Sequence, residues 1–128
     1  MHSYKDLIVW KKSVELVMQL YDYIQAFPKN ESYVLSDQMR RAVVSIPSNI
    51  AEGYERMTTA EYIRFLSIAR GSKAELETQL HICNQLKLGN MEKNVVLQSS
   101  CEEIGKMLNS MVYTLNSKKQ HKSQSPRS

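Results

Sequence analysis

Residues 58–90 read TTAEYIRFLSIARGSKAELETQLHICNQLKLGN, and this stretch carries the start, the face and the end of one long helix. Its first four residues, TTAE, form a capping box, in which a Thr hydroxyl and a Glu side chain bind free backbone N–H groups. Apolar residues then recur every three or four positions, which is the pattern of a helix with one buried face. They are Tyr62, Phe65, Leu66, Ala69, Leu76, Leu80 and Cys83. The closing Gly89-Asn90 pair is typical of a left-handed helix end, so we expect a helix over residues 59–88.

The same periodicity predicts three further helices on either side of this stretch. The first covers residues 4–26 and stops at a Phe-Pro pair, because the residue before a proline is pushed out of the helical conformation. The second covers residues 35–56, and the fourth runs from residue 91 or 94 to about residue 115. Long amphipathic helices with short connections pack beside their neighbours in opposite directions. We therefore expect an all-α, antiparallel, up-down-up-down four-helix bundle over residues 1–116.

The second helix contains two residues that disfavour a helix. Pro47 deletes one backbone hydrogen bond and clashes with the preceding turn, and Gly53 lowers the helix propensity. The apolar pattern continues on both sides of Pro47, so we expect one helix that is kinked at this residue.

The composition places the chain among cytoplasmic globular proteins. At 128 residues it can bury a core without disulfides or metal, and its 4 Gly and 3 Pro are too few for an all-β fold. Cys83 and Cys101 lack a metal-binding spacing, and the three histidines are far apart in sequence. The N-terminus lacks the apolar segment of a signal peptide, and no stretch approaches the ~20 apolar residues of a membrane helix. We expect reduced thiols, no cofactor and no membrane contact.

Two rows of polar residues flank the apolar faces of helices 2 and 3. The row on helix 2 consists of Gln38, Arg41, Ser45, Asn49 and Glu52, and the row on helix 3 consists of Arg64, Gly71, Glu75 and Thr78. The outward side of helix 2 carries Val44 and Ala51, which are unusually apolar for a solvated face. We interpret the rows as contacts between helices or between subunits, in which the arginines of one row pair with glutamates. A groove that binds a ligand or RNA is the alternative.

No arrangement of residues in the sequence predicts catalysis. Glu52 and Glu75 are the best candidates for acid–base chemistry, but no second activating group accompanies them. The serines of helices 2 and 3 have no histidine at a spacing that would activate them. No Glu-x-x-His pair marks a metal site inside the bundle. We therefore expect a protein that is not an enzyme.

Basic residues concentrate at the C-terminal end of the chain. The net charge is +4, and residues 118–128 hold four cations and no acid, so the bundle itself is nearly neutral. The low-complexity composition of residues 117–128 predicts a disordered tail, which either solubilises the protein or binds RNA electrostatically. The residues that would contact RNA are Arg40, Arg56, Lys73, Lys118, Lys119, Lys122 and Arg127.

Five segments of the sequence resemble one known family. They are LIVW at 7–10, FPKNE at 27–31, QMRRA at 38–42, SIPSNIAEG at 45–53 and ARGSKAELETQL at 69–80. In this order, over about residues 4–115, they resemble the four-helix-bundle proteins encoded within intervening sequences of bacterial 23S ribosomal RNA genes. The resemblance implies a homopentamer without known enzymatic activity.

Two hypotheses about function follow from the polar rows and the resemblance. The first is a non-catalytic subunit of a homo-oligomeric, pentameric interaction scaffold whose subunit contacts use the polar rows. The accessory proteins of diversity-generating retroelements look similar in fold, and they engage a reverse transcriptase and its RNA. The alternative is therefore an RNA-binding accessory protein that acts on ribosomal RNA or a retroelement ribonucleoprotein through its basic surface and tail.

Overall fold

A computed structural model describes residues 3–29 and 33–124 of the chain, and side chains as far as residue 118. These residues form one 3-10 turn and four α-helices, and the described ranges contain no strand. The turn covers Tyr4–Asp6, and the helices are α1 (Ile8–Ile24), α2 (Tyr33–Tyr54), α3 (Thr59–Gln85) and α4 (Met91–Gln124). The prediction of an all-α, four-helix fold is confirmed.

The four helices surround one core, because each packs on the next along the chain and α1 also packs on α4. In successive contacts between two neighbouring helices, a higher residue number on one helix meets a lower residue number on the other. Neighbouring helices therefore run in opposite directions. The contacts that show this are Lys12–Glu103 and Asp22–Lys93 between α1 and α4, Met39–Cys83 and Ser45–Ser72 between α2 and α3, and Arg70–Asn109 and Asn84–Asn94 between α3 and α4.

Apolar side chains from all four helices form the core, as their spacing in the sequence predicts. The largest fully buried ones are Leu16, Leu20, Tyr23, Met39, Ile46, Ile50, Leu66, Leu76, Leu80, Leu97, Ile104 and Leu108. Pro47 is buried as well, and it lies inside α2 rather than at a helix boundary. The kink at Pro47 stays a prediction.

The starts of two helices follow from local capping. α1 begins at Ile8 rather than at Tyr4, because the extended backbone of Leu7 separates it from the 3-10 turn. One half of the predicted capping box at the start of α3 is present, since the Thr58 hydroxyl accepts a hydrogen bond from the Glu61 backbone N–H at 3.2 Å. The Glu61 carboxylate pairs with Arg64.

The fourth helix is longer than its apolar spacing predicts. It continues to Gln124 instead of ending near residue 115. The added segment is rich in Lys and Gln, which favour helices, and no proline interrupts it before Pro126. Residues 117–124, for which we expected disorder, are therefore helical, whereas residues 125–128 lie outside the described ranges. The division into bundle and tail stays a prediction.

A buried polar cluster lies where the start of α4 meets α1 and α3. Asn94 is fully buried, and its Nδ2 donates to the Tyr23 hydroxyl at 2.9 Å and to a backbone carbonyl of α3 at 3.0 Å. Its Oδ1 accepts from Asn84 Nδ2 at 3.0 Å and from Gln98 Nε2 at 2.6 Å. The Tyr23 hydroxyl donates to the Leu88 carbonyl at 2.9 Å. The amide of Asn94 therefore has partners for both of its polar atoms inside the chain.

Two glycines are required by close packing. Gly89 has a φ of 76°, and a Cβ there would lie 2.6 Å from Phe27 and 2.7 Å from Tyr23. The prediction that Gly89 supplies the left-handed end of α3 is wrong, because the helix ends at Gln85 and the left-handed residue that follows it is Lys87, with a φ of 57°. A Cβ on Gly53 would lie 2.8 Å from Cβ of Phe65. Gly53 thus lets α2 and α3 approach each other closely, which explains a residue that the sequence alone makes costly.

Candidate subunit interface

The middle of the helix 2 row binds α3 within the same chain. The hydroxyls of Ser45 and Ser72 are 2.8 Å apart. Asn49 Nδ2 donates to the Ser45 carbonyl at 2.8 Å and to the Ser45 hydroxyl at 2.9 Å. All three side chains are half-buried. This part of the row is therefore a contact between helices, one of the two kinds of contact that the sequence analysis proposed.

The charged members of the rows pair along their own helices instead of across the seam. Each arginine lies one turn from an acid of the same helix. The expected pairing of Arg41 or Arg64 with Glu52 or Glu75 is therefore not seen. Glu52 instead pairs with Arg56, which is outside the rows. The pairs are Arg41–Asp37 at 2.9 Å, Arg56–Glu52 at 3.4 Å and Arg64–Glu61 at 2.7 Å. The Arg64 guanidinium holds the pKa of the Glu61 carboxyl below its ordinary value. All six side chains are at least two-fifths exposed, so their charges remain accessible to a partner. Exposed pairs of this kind contribute little to stability.

The outward side of the same seam carries small and apolar residues between these charges. Val44, Ile68 and Ile82 expose 41 %, 40 % and 39 % of their surface. A Cβ built on Gly71 meets no atom within 4 Å, so packing inside the chain does not explain a glycine in the middle of α3. We name this surface the α2–α3 face; it consists of Gln38, Arg41, Val44, Glu52, Arg64, Ile68, Gly71, Glu75, Thr78 and Ile82.

Glu75 gives the α2–α3 face an unbalanced negative charge. Its carboxylate forms no ion pair within the described ranges, and it accepts one hydrogen bond, from Gln79 Nε2 at 3.3 Å. A carboxylate can only accept, so the amide nitrogen of Gln79 must face it. The Gln79 oxygen is consequently buried without a donor.

The fold and both rows fall inside a match to one protein family. The family model of the 23S rRNA-intervening sequence protein matches residues 5–110. The chain belongs to this family. The match ends inside α4, before the basic residues of the C-terminal segment.

A solved structure of the same kind supports the assignment. The chain is similar to a protein of unknown function from the S23 ribosomal protein family of Bacteroides thetaiotaomicron, with 28% sequence identity and a TM-score of 0.75. The similarity covers 82% of this chain and 98% of the other. A comparison with curated proteins gives no match. The family assignment thus brings a fold with it and leaves the function open.

Two residues that we expected to contact RNA lie on different sides of this family's bundle. The Arg40 guanidinium lies 5.7 Å from the ring centre of Tyr21, on the side where α1 and α2 meet. Lys73 lies between α3 and α4, where its Nζ would be 2.8 Å from a Cβ on Gly105, and it pairs with Glu77 at 2.8 Å. Their charges therefore do not form one patch.

The remaining predicted RNA contacts are divided between the end of α2 and the end of α4. Arg56 packs over the Phe65 ring at 4.5 Å, and its guanidinium pairs with Glu52. Lys118 is exposed on α4. The side chains of Lys119 and Lys122, and all of Arg127, lie outside the described residues.

The described residues offer little reactive chemistry. Burial raises the pKa of the Cys101 thiol to about 12 and also raises that of Cys83, so neither is a thiolate near neutral pH. No group of three His, Cys, Asp or Glu side chains within the described ranges is arranged to hold a metal ion. Across the same ranges, no helix is both long and apolar enough to span a membrane.

Proposed function

We propose that this chain is a non-catalytic subunit of a homo-oligomeric scaffold, and that its α2–α3 face contacts a neighbouring subunit. Gly71 is the observation that carries the proposal. A glycine inside a helix costs about 1 kcal/mol relative to alanine, and no atom of this chain requires one at this position. A glycine without a packing partner in its own chain is explained if the backbone of another subunit approaches it closely.

The surroundings of Gly71 support the same proposal. Val44, Ile68 and Ile82 supply apolar area beside it, and the exposed pairs Arg41–Asp37 and Arg64–Glu61 lie towards the ends of the face. Protein interfaces commonly combine an apolar centre with a polar rim. We further propose that the assembly is the pentamer implied by the resemblance.

The mass of the protein in solution tests this proposal. Sedimentation velocity of the full chain at micromolar concentration should give a multiple of the 14.8 kDa subunit mass. Gly71→Trp should give monomers with unchanged helicity, because the bulky ring points into open space in the single chain. Ser99→Trp, an equally large change at an exposed position of α4, should leave the mass unchanged. A monomeric wild-type protein would overturn the proposal.

RNA binding is the second candidate, and the basic segment that continues α4 is what favours it. Arg56 and Lys73 already have acidic partners, so the cations from Lys118 onward would supply most of the attraction. Fluorescence anisotropy with single-stranded RNA at increasing salt should then show a steep loss of affinity. Deleting residues 118–128 should abolish the binding. Equal affinity with and without this segment would eliminate it as the RNA-binding element.

A further inference from the structure

A second surface of the bundle has the composition of a protein interface. Along the line where α1 and α2 meet, Tyr4 packs edge-on against Trp10 with ring centres 5.4 Å apart, and Arg40 lies over Tyr21. Trp10 and Tyr21 are eleven positions apart, which puts them on the same side of α1. Tyr33, at the start of α2, exposes 71 % of its surface. We name these five residues the α1–α2 face; tyrosine, tryptophan and arginine are the residues that interfaces favour.

Among the described residues, this face also holds a positive charge that no acid balances. Arg40 and Lys29 line a cleft of about 390 Å³ between the end of α1 and the start of α2, together with Tyr33 and Phe27. None of the described residues that line the cleft is acidic. Arg40 forms no ion pair within the described ranges, and its one described contact is the ring of Tyr21.

The α2–α3 face carries an unbalanced charge of the opposite sign to that of the α1–α2 face. Its three arginine-containing pairs are internally balanced, and Glu75 is the acid left without a cation. In a contact between two identical α2–α3 faces, the cations of the face that Glu75 could meet, Arg41 and Arg64, already pair with acids of their own helices. A copy that instead presents Arg40 to Glu75 pairs the unbalanced charge of each face.

We infer that the α2–α3 face of one copy docks on the α1–α2 face of the next, with Glu75 of the first copy bound to Arg40 in the cleft of the second. This inference rests on the proposed function, and it specifies which surfaces meet. Because the two faces differ, the contact is head-to-tail, and a head-to-tail contact that closes on itself produces a ring. The two faces are adjacent sides of the bundle and share α2, so successive subunits turn relative to each other, as a ring requires.

A charge exchange tests the pairing. In sedimentation velocity, Glu75→Arg and Arg40→Glu should each raise the dissociation constant of the assembly at least about tenfold. The double variant, in which the two charges are exchanged, should recover most of the wild-type affinity. Glu15→Arg and Lys11→Glu change exposed charges of α1 that belong to neither face, and they should assemble like the wild type. Circular dichroism shows whether each variant is folded. If Glu75→Arg does not fold, Glu75→Gln replaces it as a milder change.

A mixing experiment tests the head-to-tail geometry. Gly71→Trp has a blocked α2–α3 face, and Arg40→Glu has a weakened α1–α2 face, so each variant retains one working face. Mixed in equal amounts at a concentration where both are monomeric alone, they should form a one-to-one heterodimer and no larger species.

The outcomes separate this inference from the proposed function. A monomeric wild type overturns both. An oligomeric wild type that Gly71→Trp dissociates, but that Arg40→Glu and Glu75→Arg leave intact, supports the scaffold and overturns the Arg40–Glu75 contact. A double variant no better than the single ones, or a mixture that stays monomeric, also overturns the inference.

Discussion

The polar cluster around Asn94 and the polar rows of the α2–α3 face are built from similar residues, but they differ in how completely they are satisfied. In the Asn94 cluster, the amide and the Tyr23 hydroxyl find their partners inside the chain. Among the described residues, Glu75 on the α2–α3 face has no ion pair, the oxygen of the buried Gln79 beside it has no donor, and a Cβ on Gly71 would meet no neighbouring helix.

This difference indicates where the chain is complete by itself and where it is not. Buried polar groups in folded proteins are almost always hydrogen-bonded, so a satisfied cluster serves to position helices within one subunit. A surface with unpaired charge and unexplained small residues gains by contact with another molecule. Substitutions in the two regions should therefore affect two separate quantities, the free energy of unfolding of the subunit and the affinity between subunits.

The largest expected effect on stability comes from the Asn94 cluster. Asn94→Ala removes four hydrogen bonds, leaves buried partners unsatisfied and opens a cavity, so we expect a loss of about 3 kcal/mol in the free energy of unfolding. Urea denaturation followed by circular dichroism measures it. Asn84→Ala, at the half-buried edge of the cluster, should cost about 1 kcal/mol. Similar losses for both variants would show that Asn94 is not the centre of the cluster.

Gly53 and Gly71 provide a matched pair, one inside the chain and one at the open face. Gly53→Ala places a methyl group 2.8 Å from Cβ of Phe65, and neither backbone is free to move away. We expect the overpacking to lower the free energy of unfolding by about 2 kcal/mol, measured by urea denaturation. An alanine that stabilised α2 would mean that the two helices separate easily at this point.

The sequence is sufficient to predict the helices and their buried faces, because the apolar spacing and the Thr58 cap act locally. It does not predict where α3 ends, because Lys87 rather than a glycine adopts the left-handed conformation after Gln85. Asn94 was assigned only as a possible start of α4, because its partners come from α1 and α3 and no local signal marks them. The end of α4 was placed too early, because a basic composition is compatible with both a helix and a disordered tail.

The candidate site was predictable only in part, for a similar reason. The periodicity of α2 and α3 places the polar rows beside the core, but it cannot say which members pair within the chain. Ser45 contacts Ser72 of α3, and Asn49 donates back to Ser45 of its own helix, whereas Glu75 has no ion pair among the described residues. The prediction that Arg40 contacts RNA stays a prediction, and the sequence alone does not show that its guanidinium lies over the ring of Tyr21.

High pH should lower the free energy of unfolding through Tyr23 of the Asn94 cluster. Burial raises the pKa of Tyr23 to about 12 from an ordinary value of 10.0. The folded state therefore holds this proton more tightly than the unfolded chain, so its contribution to stability is complete below pH 10.0 and is lost as the pH rises towards 12. In this window, each such group lowers the free energy of unfolding by up to about 1.4 kcal/mol per pH unit.

Tyr23→Phe isolates this contribution in urea denaturation at a series of pH values. The variant should be less stable than the wild type at neutral pH, because it loses the hydroxyl, and its stability should fall less steeply as the pH rises. Cys101, whose pKa burial also raises to about 12, supplies part of the slope that remains. Equal slopes for the two proteins would show that the pKa of Tyr23 is the same in the folded and in the unfolded state.

The smallest expected effect on the free energy of unfolding comes from Gly71 on the α2–α3 face, and it has the opposite sign to that of Gly53→Ala. Gly71→Ala adds a methyl group where no described atom beyond the backbone of its own helix lies within 4 Å, so it should stabilise the single subunit by about 1 kcal/mol through helix propensity. Urea denaturation in the Arg40→Glu background, which we expect to be monomeric, measures this gain. In the wild-type background the same methyl group should weaken the assembly, because it occupies space that a neighbouring backbone needs. If alanine strengthened both the subunit and the assembly, Gly71 would lie outside the contact, and the α2–α3 face would have to be redefined around Glu75.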